Sequence, residues 1–259
     1  MTSSAASVGV MSATPAEMQA IVAARRLRAA RTCFVGVGRP SVAAILARAV
    51  HNPDLILVYE SGTLGTKPSR IPLSIGDDEL AATADLIVPV AEMFNYWIQG
   101  QRLDVAFLGA AQIDRFANLN STVIGDYEAP AARLPGAGGA PEISGGCREV
   151  IVIAPHDRRT FVGKLDFVTT IGHGDGPGAR ESLGLHGLGP TAVITDLGVL
   201  EPDPLSKELT LTEVHPGATL DQVIASTGWE LRVAHDLRST PAPTDEERAA
   251  LRALVARSS

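Results

Sequence analysis

Two apolar periods alternate along the first half of the chain. Short apolar runs at Thr32–Val37, Leu55–Tyr59, Leu86–Val90, Val105–Leu108, Val150–Ile153 and Ala192–Thr195 have the length and β-branched content of strands. Runs with so few polar interruptions predict strands buried on both faces, as in a parallel sheet covered by helices. Helical patterns lie between them: Val42, Ile45, Leu46 and Ala49 recur at helical spacing between Pro40 and His51. Three helix starts are written as capping boxes, at Thr14-Pro-Ala-Glu17, Thr219-Leu-Asp-Gln222 and Thr244-Asp-Glu-Glu247. In the first, Pro15 takes the opening helical position, where its missing N–H costs nothing.

The alternation persists from Thr14 to about Gly109, after which the loops lengthen. Leu134–Gly146 and Gly172–Pro190 are rich in Gly and Pro, yet strand-like runs resume beyond both, so neither reads as a linker between domains. No repeat at a fixed period is present. The pattern predicts one domain over residues 14–259, an α/β fold with a three-layer α/β/α open sheet. Residues 1–13, rich in Ser and Ala, are expected to form a disordered N-terminal tail.

Composition narrows the function classes. Twenty-two basic against 29 acidic side chains give a formal net charge of −7, which argues against nucleic acid as a partner. A hydrophobic content of 45% with 20% charged residues belongs to a globular chain and excludes a disordered one. Cys33 and Cys147 stand far apart without a CxxC pair, so neither a disulfide framework nor a cysteine-based zinc site is supported. No apolar stretch reaches the roughly 18 residues of a membrane span. The first basic residue is Arg25, so the start lacks the positive region of a secretory signal. A cytoplasmic location without membrane contact is expected.

Three loops have the residue types for chemistry. Cys33-Phe-Val-Gly-Val-Gly-Arg-Pro40 runs from a strand through Gly36 and Gly38 into a helix, whose N-terminal N–H groups suit an anion. It reads either as a dinucleotide turn or as a tight strand-to-helix connection. Glu60, 22 residues after Gly38, favours the first; Ser41 in place of a third glycine opposes it. Glu60 itself ends the run Leu55–Tyr59, at the strand edge where open α/β sheets bind ligands, with Gly62 and Gly65 keeping the space beside it clear. It equally fits a surface Glu that ends a strand.

The third loop, Leu134–Ile143, includes Gly136, Gly138 and Gly139, which form either a nest of N–H groups for an oxyanion or a mobile connection. Gln112 and Asn118 follow a strand and suit polar contacts to a carbonyl or carboxylate, or else satisfy local backbone. Lys67 and Arg70 lie close behind Glu60, as partners of an acidic ligand or as solvated charges. His173 and Asp175 offer two metal ligands without a third at metal spacing, so no metal is expected. No Gly-x-Ser-x-Gly elbow or His-Glu-x-x-His helix is present.

Taken in order, Val35-Gly-Val-Gly-Arg-Pro40, Tyr59-Glu-Ser-Gly62, Gly109-Ala-Ala-Gln-Ile-Asp114, Asn118-Leu-Asn-Ser121, Gly136-Ala-Gly-Gly-Ala140 and Gly174-Asp-Gly-Pro-Gly178 resemble the beta subunits of class I CoA-transferases, in their glutaconate CoA-transferase branch. The likeness runs from about Thr14 to about Leu254. It implies the α/β/α fold shared by CoA-transferases and sugar-phosphate isomerases, and an alpha subunit on another chain, in an α2β2 heterotetramer. The family's catalytic glutamate falls on Glu60. A decarboxylase relative carries Cys there, and a steroid ring-opening hydrolase relative has a different loop.

The resemblance therefore implies CoA transfer between succinyl-CoA and a small dicarboxylate, 3-oxoadipate or a glutaconate-like acid, through a glutamyl-CoA thioester on Glu60. CoA is then a substrate, and no cofactor is held permanently. Gly36, Gly38, Gly62, Gly138 and Gly139 are the expected oxyanion and CoA-loop positions; Gln112, Asn118, Lys67 and Arg70 are expected contacts to substrate or CoA. The alternatives are an acyl-CoA hydrolase or decarboxylase of the same fold, and a ligand-sensing module. The retained Glu60 speaks against the last, as does the lack of room for a DNA-binding segment.

Overall fold

Residues 13–258 are described by the structure, a computed structural model. Most of the expected N-terminal tail, residues 1–12, lies outside the described residues. Helix α1 (Pro15–Arg26) starts as its capping box predicts: Thr14 Oγ1 accepts the Glu17 N–H at 3.2 Å, and Glu17 accepts the Thr14 N–H at 2.8 Å. Then follow β1 (Thr32–Val35), α2 (Arg39–Val50), β2 (Ile56–Tyr59), the short β3 (Thr63–Leu64), α3 (Asp78–Ala82) and β4 (Leu86–Ile87). Helix α4 (Val90–Glu92) runs on as a π-helical segment over Met93–Ile98 and leads to β5 (Val105–Leu108).

Two small antiparallel ribbons come next, β6 (Gln112–Ile113) with β7 (Leu119–Asn120), and β8 (Val123–Gly125) with β9 (Pro130–Arg133). The chain continues through α5 (Ala140–Gly146), β10 (Glu149–Ile153), α6 (Ala179–Ser182), β11 (Pro190–Ile194), β12 (Gly198–Pro202) and β13 (Leu209–Val214). It closes with α7 (Leu220–Ser226), β14 (Arg232–Ser239) and α8 (Asp245–Arg257), the two helices opening on the capping boxes of Thr219 and Thr244.

Ten strands form one sheet in the order β14-β13-β12-β11-β10-β5-β1-β2-β3-β4. Its middle, β11 through β2, is parallel as expected. The flanks are not: β3 and β4 on one side, and β12 and β13 on the other, pair antiparallel, so the sheet is mixed. Only three residues separate β11 from β12, a connection that antiparallel neighbours alone can make. The expected strand Leu86–Val90 shrinks to the exposed edge pair Leu86 and Ile87, because Pro89 has no N–H for the ladder and α4 begins behind it.

The continuous apolar runs divide residue by residue between two cores. Cys33, Val35, Leu57, Tyr59, Phe107, Ile151 and Ile153 pack under α1, α2 and α8. Phe34, Val58, Ala106, Leu108, Val150 and Val152 face the other way, against Met93, Ile98 and Ile143. Helices and loops thus cover both faces, giving the three-layer arrangement. From β1 the chain moves to β2 on one side, and it returns to β5 on the other. That reversal opens a crevice at the carboxyl ends of β1 and β5. No helix among the described residues is long and apolar enough to cross a membrane.

Candidate active site

Glu60 follows directly on β2, half-buried, at the carboxyl edge of the parallel strands. A tight turn aims it: the Gly62 N–H donates to the Tyr59 carbonyl at 3.0 Å, and the Val88 N–H donates to the Gly62 carbonyl at 2.9 Å. Gly62 has φ +101°, and a Cβ there would stand 1.9 Å from the Val88 carbonyl oxygen. Only glycine fits that turn. Beneath it Tyr59 is fully buried, and burial pushes its phenol well above the ordinary range. The phenol lies 3.2 Å from Ser41 Oγ, which donates to the Gly36 carbonyl at 2.8 Å. Ser41, where a dinucleotide turn has its third glycine, is therefore a buried strut between the Gly36 loop and β2.

Glu60 borders a cavity of about 410 Å³ formed by the ends of β1 and β5 and by the loop entering α5. Gly36, Arg39, Gly138 and Gly139 line it with Glu60. A Cβ on Gly139 would be 3.2 Å from Glu60 Oε1, so the third glycine loop lies directly against the carboxylate. Neither Gly138 nor Gly139 donates its amide N–H to another described residue. Gly38 caps α2 with φ +82° between two lining residues, while Gly62 stays behind the wall.

The third loop is pinned rather than a mobile connection. The Leu134 N–H donates to Thr122 O at 3.0 Å and the Gly136 N–H to Ser121 O at 2.8 Å; Ser121 Oγ returns a bond to Gly136 O at 2.8 Å. Gln112 and Asn118, expected to touch ligand, work in this scaffold and line no part of the Glu60 cavity. Gln112 Oε1 accepts from Asn120 Nδ2 at 2.7 Å, and its Nε2 donates to Asp166 at 2.9 Å. Asn118 Oδ1 accepts the N–H groups of Gly172 and Gly174, while its Nδ2 donates to Asp114 and to Gly174 O. Asn118, 6% exposed, has its whole amide engaged, whereas Gln112 keeps one Nε2 hydrogen without a partner among the described residues. Asn120, Ser121 and the buried Arg180, which donates to the carbonyls of Gly172, Ser144 and His186, complete a framework that sequence reasoning missed.

Lys67 and Arg70 also lie off the cavity. Lys67 pairs with Asp85 and borders a different depression beside Arg48 and Arg257; Arg70 pairs with Asp77 at 2.8 Å and with Glu79 at 3.5 Å. Arg39, by contrast, borders the cavity although no sequence reading singled it out. A signal was available: a cation on the first turn of a helix opposes the macrodipole, a cost that asks for a reason.

Two buried histidines serve the scaffold. His156 stacks on Phe161 between Thr195 and Thr227, and burial lowers its pKa to about 4. His173 Nε2 lies 2.8 Å from the Pro190 carbonyl, a contact that makes it a donor. Among the described residues no group of three His, Cys, Asp or Glu side chains converges to hold a metal.

Comparison with known proteins assigns the family and the fold. The family model for coenzyme A transferase matches residues 16–226. The beta chain of 3-oxoadipate CoA-transferase from Pseudomonas knackmussii is 57% identical over 241 residues, 93% of each chain. The beta chain of glutaconate CoA-transferase from Acidaminococcus fermentans is 38% identical over 227 residues, 85% of each chain. The crystal structure of that glutaconate coenzyme A-transferase superposes with a TM-score of 0.88 at 35% identity, covering 93% of this chain and 94% of the other.

Proposed function

The chain belongs to the coenzyme A transferase family as a beta-type chain, and on that premise we propose that it moves CoA between succinyl-CoA and 3-oxoadipate with Glu60 as the nucleophile. What supports this is the position of Glu60, a carboxylate on a glycine-locked turn facing free backbone N–H groups, in a chain 57% identical to the beta chain of a 3-oxoadipate CoA-transferase.

Glu60 Oε attacks the thioester carbonyl of succinyl-CoA; the C–S bond breaks, and a mixed anhydride and CoA thiolate result. The thiolate attacks the glutamyl carbonyl and expels succinate, leaving a glutamyl-CoA thioester. The carboxylate of 3-oxoadipate then attacks that thioester and releases thiolate, which takes the oxoadipyl group and frees Glu60. Each addition creates an oxyanion, and one preset N–H donor is worth about 3 kcal/mol to it. Gly139, which lies against the carboxylate, and its neighbour Gly138 supply the proposed donors, with Gly36 lining the same cavity.

CoA is a substrate in this scheme, and no permanent cofactor is required. The relatives are each one chain of a two-chain enzyme, so an alpha-type partner completes this one; we take the assembly as α2β2. The partner closes the cavity to water, which would otherwise hydrolyse the energised glutamyl species. A chain of net charge −7 is poorly suited to the CoA phosphates, so basic residues of the partner hold most of the nucleotide. Two buried free thiols, Cys33 and Cys147, suit a reducing cytoplasm.

The test is chemical trapping. When both chains are incubated with succinyl-CoA and then borohydride, the glutamyl thioester at Glu60 is reduced to the alcohol and found by peptide mapping. Unmodified Glu60 under full acyl-CoA turnover would sink the covalent route. Glu60→Ala is expected to assemble normally and to reduce transfer to background.

A further inference from the structure

We propose that Arg39 is a specificity-determining residue that binds the second, non-reacting carboxylate of the acid substrate; this rests on Glu60 being the nucleophile. Among the described residues lining the cavity, Glu60 and Arg39 are the two that carry charge, and the rest are glycines and apolar side chains. A molecule that presents its carbonyl to Glu60 therefore meets one cation in the same space. A dicarboxylate has a group for each. A monocarboxylate leaves the exposed guanidinium to water and gains nothing from it.

Arg39 is free for that task. Arg25, Arg26, Arg70 and Arg232 each pair with a carboxylate. The hydrogen-bond partner of Arg39 among the described residues is a neutral oxygen, Gln19 Oε1 at 2.6 Å, which uses one of its five N–H donors. Among the described residues no carboxylate forms an ion pair with it, although Glu60 shares its cavity and Glu17 a second depression, and the helix start beneath it adds positive potential. A planar fork with spare donors is the group that binds carboxylates in bidentate fashion.

The guanidinium is also held in place. Gln19 is 1% exposed, and its Nε2 donates to Ala154 O at 2.8 Å and to Ile194 O at 3.0 Å. With both amide hydrogens spent on carbonyls, Oε1 is left to face Arg39, so the side chain cannot usefully flip. Those carbonyls lie at the carboxyl ends of β10 and β11, the edge of the sheet that presents Glu60. Gln19 is thus a positioning residue that ties the cation to the same rigid strands as the nucleophile.

In a ping-pong reaction, kcat/KM for an accepting acid reports its own half-reaction and not the donor. Succinate and butyrate, equal in length and different only at the distal carboxylate, are therefore compared as acceptors in the two-chain enzyme with 3-oxoadipyl-CoA as the CoA donor. Wild type is expected to favour succinate, and Arg39→Leu to lower the succinate-to-butyrate ratio of kcat/KM by about 10- to 100-fold, the scale of a charge-assisted hydrogen bond. Arg39→Lys recovers part of the ratio. Gln19→Leu lowers it by less and acts through KM for succinate with kcat retained. If Arg39→Leu reduces both acids equally, or raises KM for the acyl-CoA alone, Arg39 serves CoA or the fold, and the proposal is overturned. Borohydride trapping on Arg39→Leu separates the two readings. Labelled Glu60 with an unchanged ratio defeats the role of Arg39 alone; unlabelled Glu60 in wild type defeats the nucleophile and this proposal with it.

Discussion

A Cβ placed on Gly139 would stand 2.5 Å from the Phe94 ring and 3.2 Å from Glu60 Oε1. The obstacle is the far end of a half-buried side chain, and the Gly139 backbone has an ordinary φ of −92°, so the fold can absorb the methyl group. The geometry proposed for transfer cannot, since a shift of about 1 Å in a catalytic group costs on the order of 100-fold in rate. Gly139→Ala is expected to lower the urea midpoint by the equivalent of about 1–3 kcal/mol and transfer by tenfold or more; transfer at the wild-type rate would show that this wall does not constrain Glu60. Gly62→Ala differs in kind, because the clash is with backbone and φ is positive. Loss of soluble, folded chain is the expected outcome there. At this scale Glu60 was legible because strand, carboxylate and glycine are contiguous. Arg39 left only its place on the first turn of a helix as a signal, because what holds it is a partner twenty residues away in a different helix.

Helix-to-helix contacts add a pH dependence. Glu247, fully buried in the first turn of α8, accepts from Arg25 Nε and Nη2 of α1 at 2.7 Å each, while His51 at the end of α2 lies 3.1 Å away. Burial pushes its carboxyl upward, but the Arg25 bonds and the Thr244 N–H pull harder and hold its pKa at about 2, below the ordinary 4.5. A depressed folded value means that the unfolded chain takes up the proton first. The stabilisation is fully present above about pH 4.5 and is lost as the pH falls toward 2. Glu247→Gln should cost about 3 kcal/mol near pH 7, with the gap to wild type narrowing steadily below pH 4.5 in urea titrations. A constant gap down to pH 3 would place the stability elsewhere.

The three capping boxes were readable because their bonds close within four residues. So were the central strands, each a continuous apolar run. The extension through β14 was not, since its residues are mostly exposed and carry no apolar period. The scaffold bonds of Gln112 and Asn118 were not legible for a similar reason: their partners Asp166 and Gly172 lie 54 residues downstream, brought close only by the fold.

Considered whole, the chain holds the Glu60 carboxylate and the Arg39 guanidinium in one open cavity, while its net charge of −7 opposes the phosphates of an acyl-CoA. An acidic surface without a second wall neither draws in CoA nor keeps water from an activated carboxyl group. The isolated chain is therefore expected to fold but to form glutamyl thioester far more slowly than the complex, and to lose to hydrolysis whatever forms. Adding the alpha-type partner should raise the yield of trapped Glu60 and move the products from free CoA toward transferred CoA. Both readouts come from one time course: borohydride-labelled peptide reports the first, and the ratio of free thiol to new acyl-CoA reports the second. Raising the salt concentration should slow the complex through KM for acyl-CoA, because the attraction proposed between an alpha-type partner and the phosphates would be screened over about 10 Å at 0.1 M. If the isolated chain transfers CoA at the rate of the complex, the cavity is complete in one chain, and the partner's role in excluding water and holding the nucleotide is wrong.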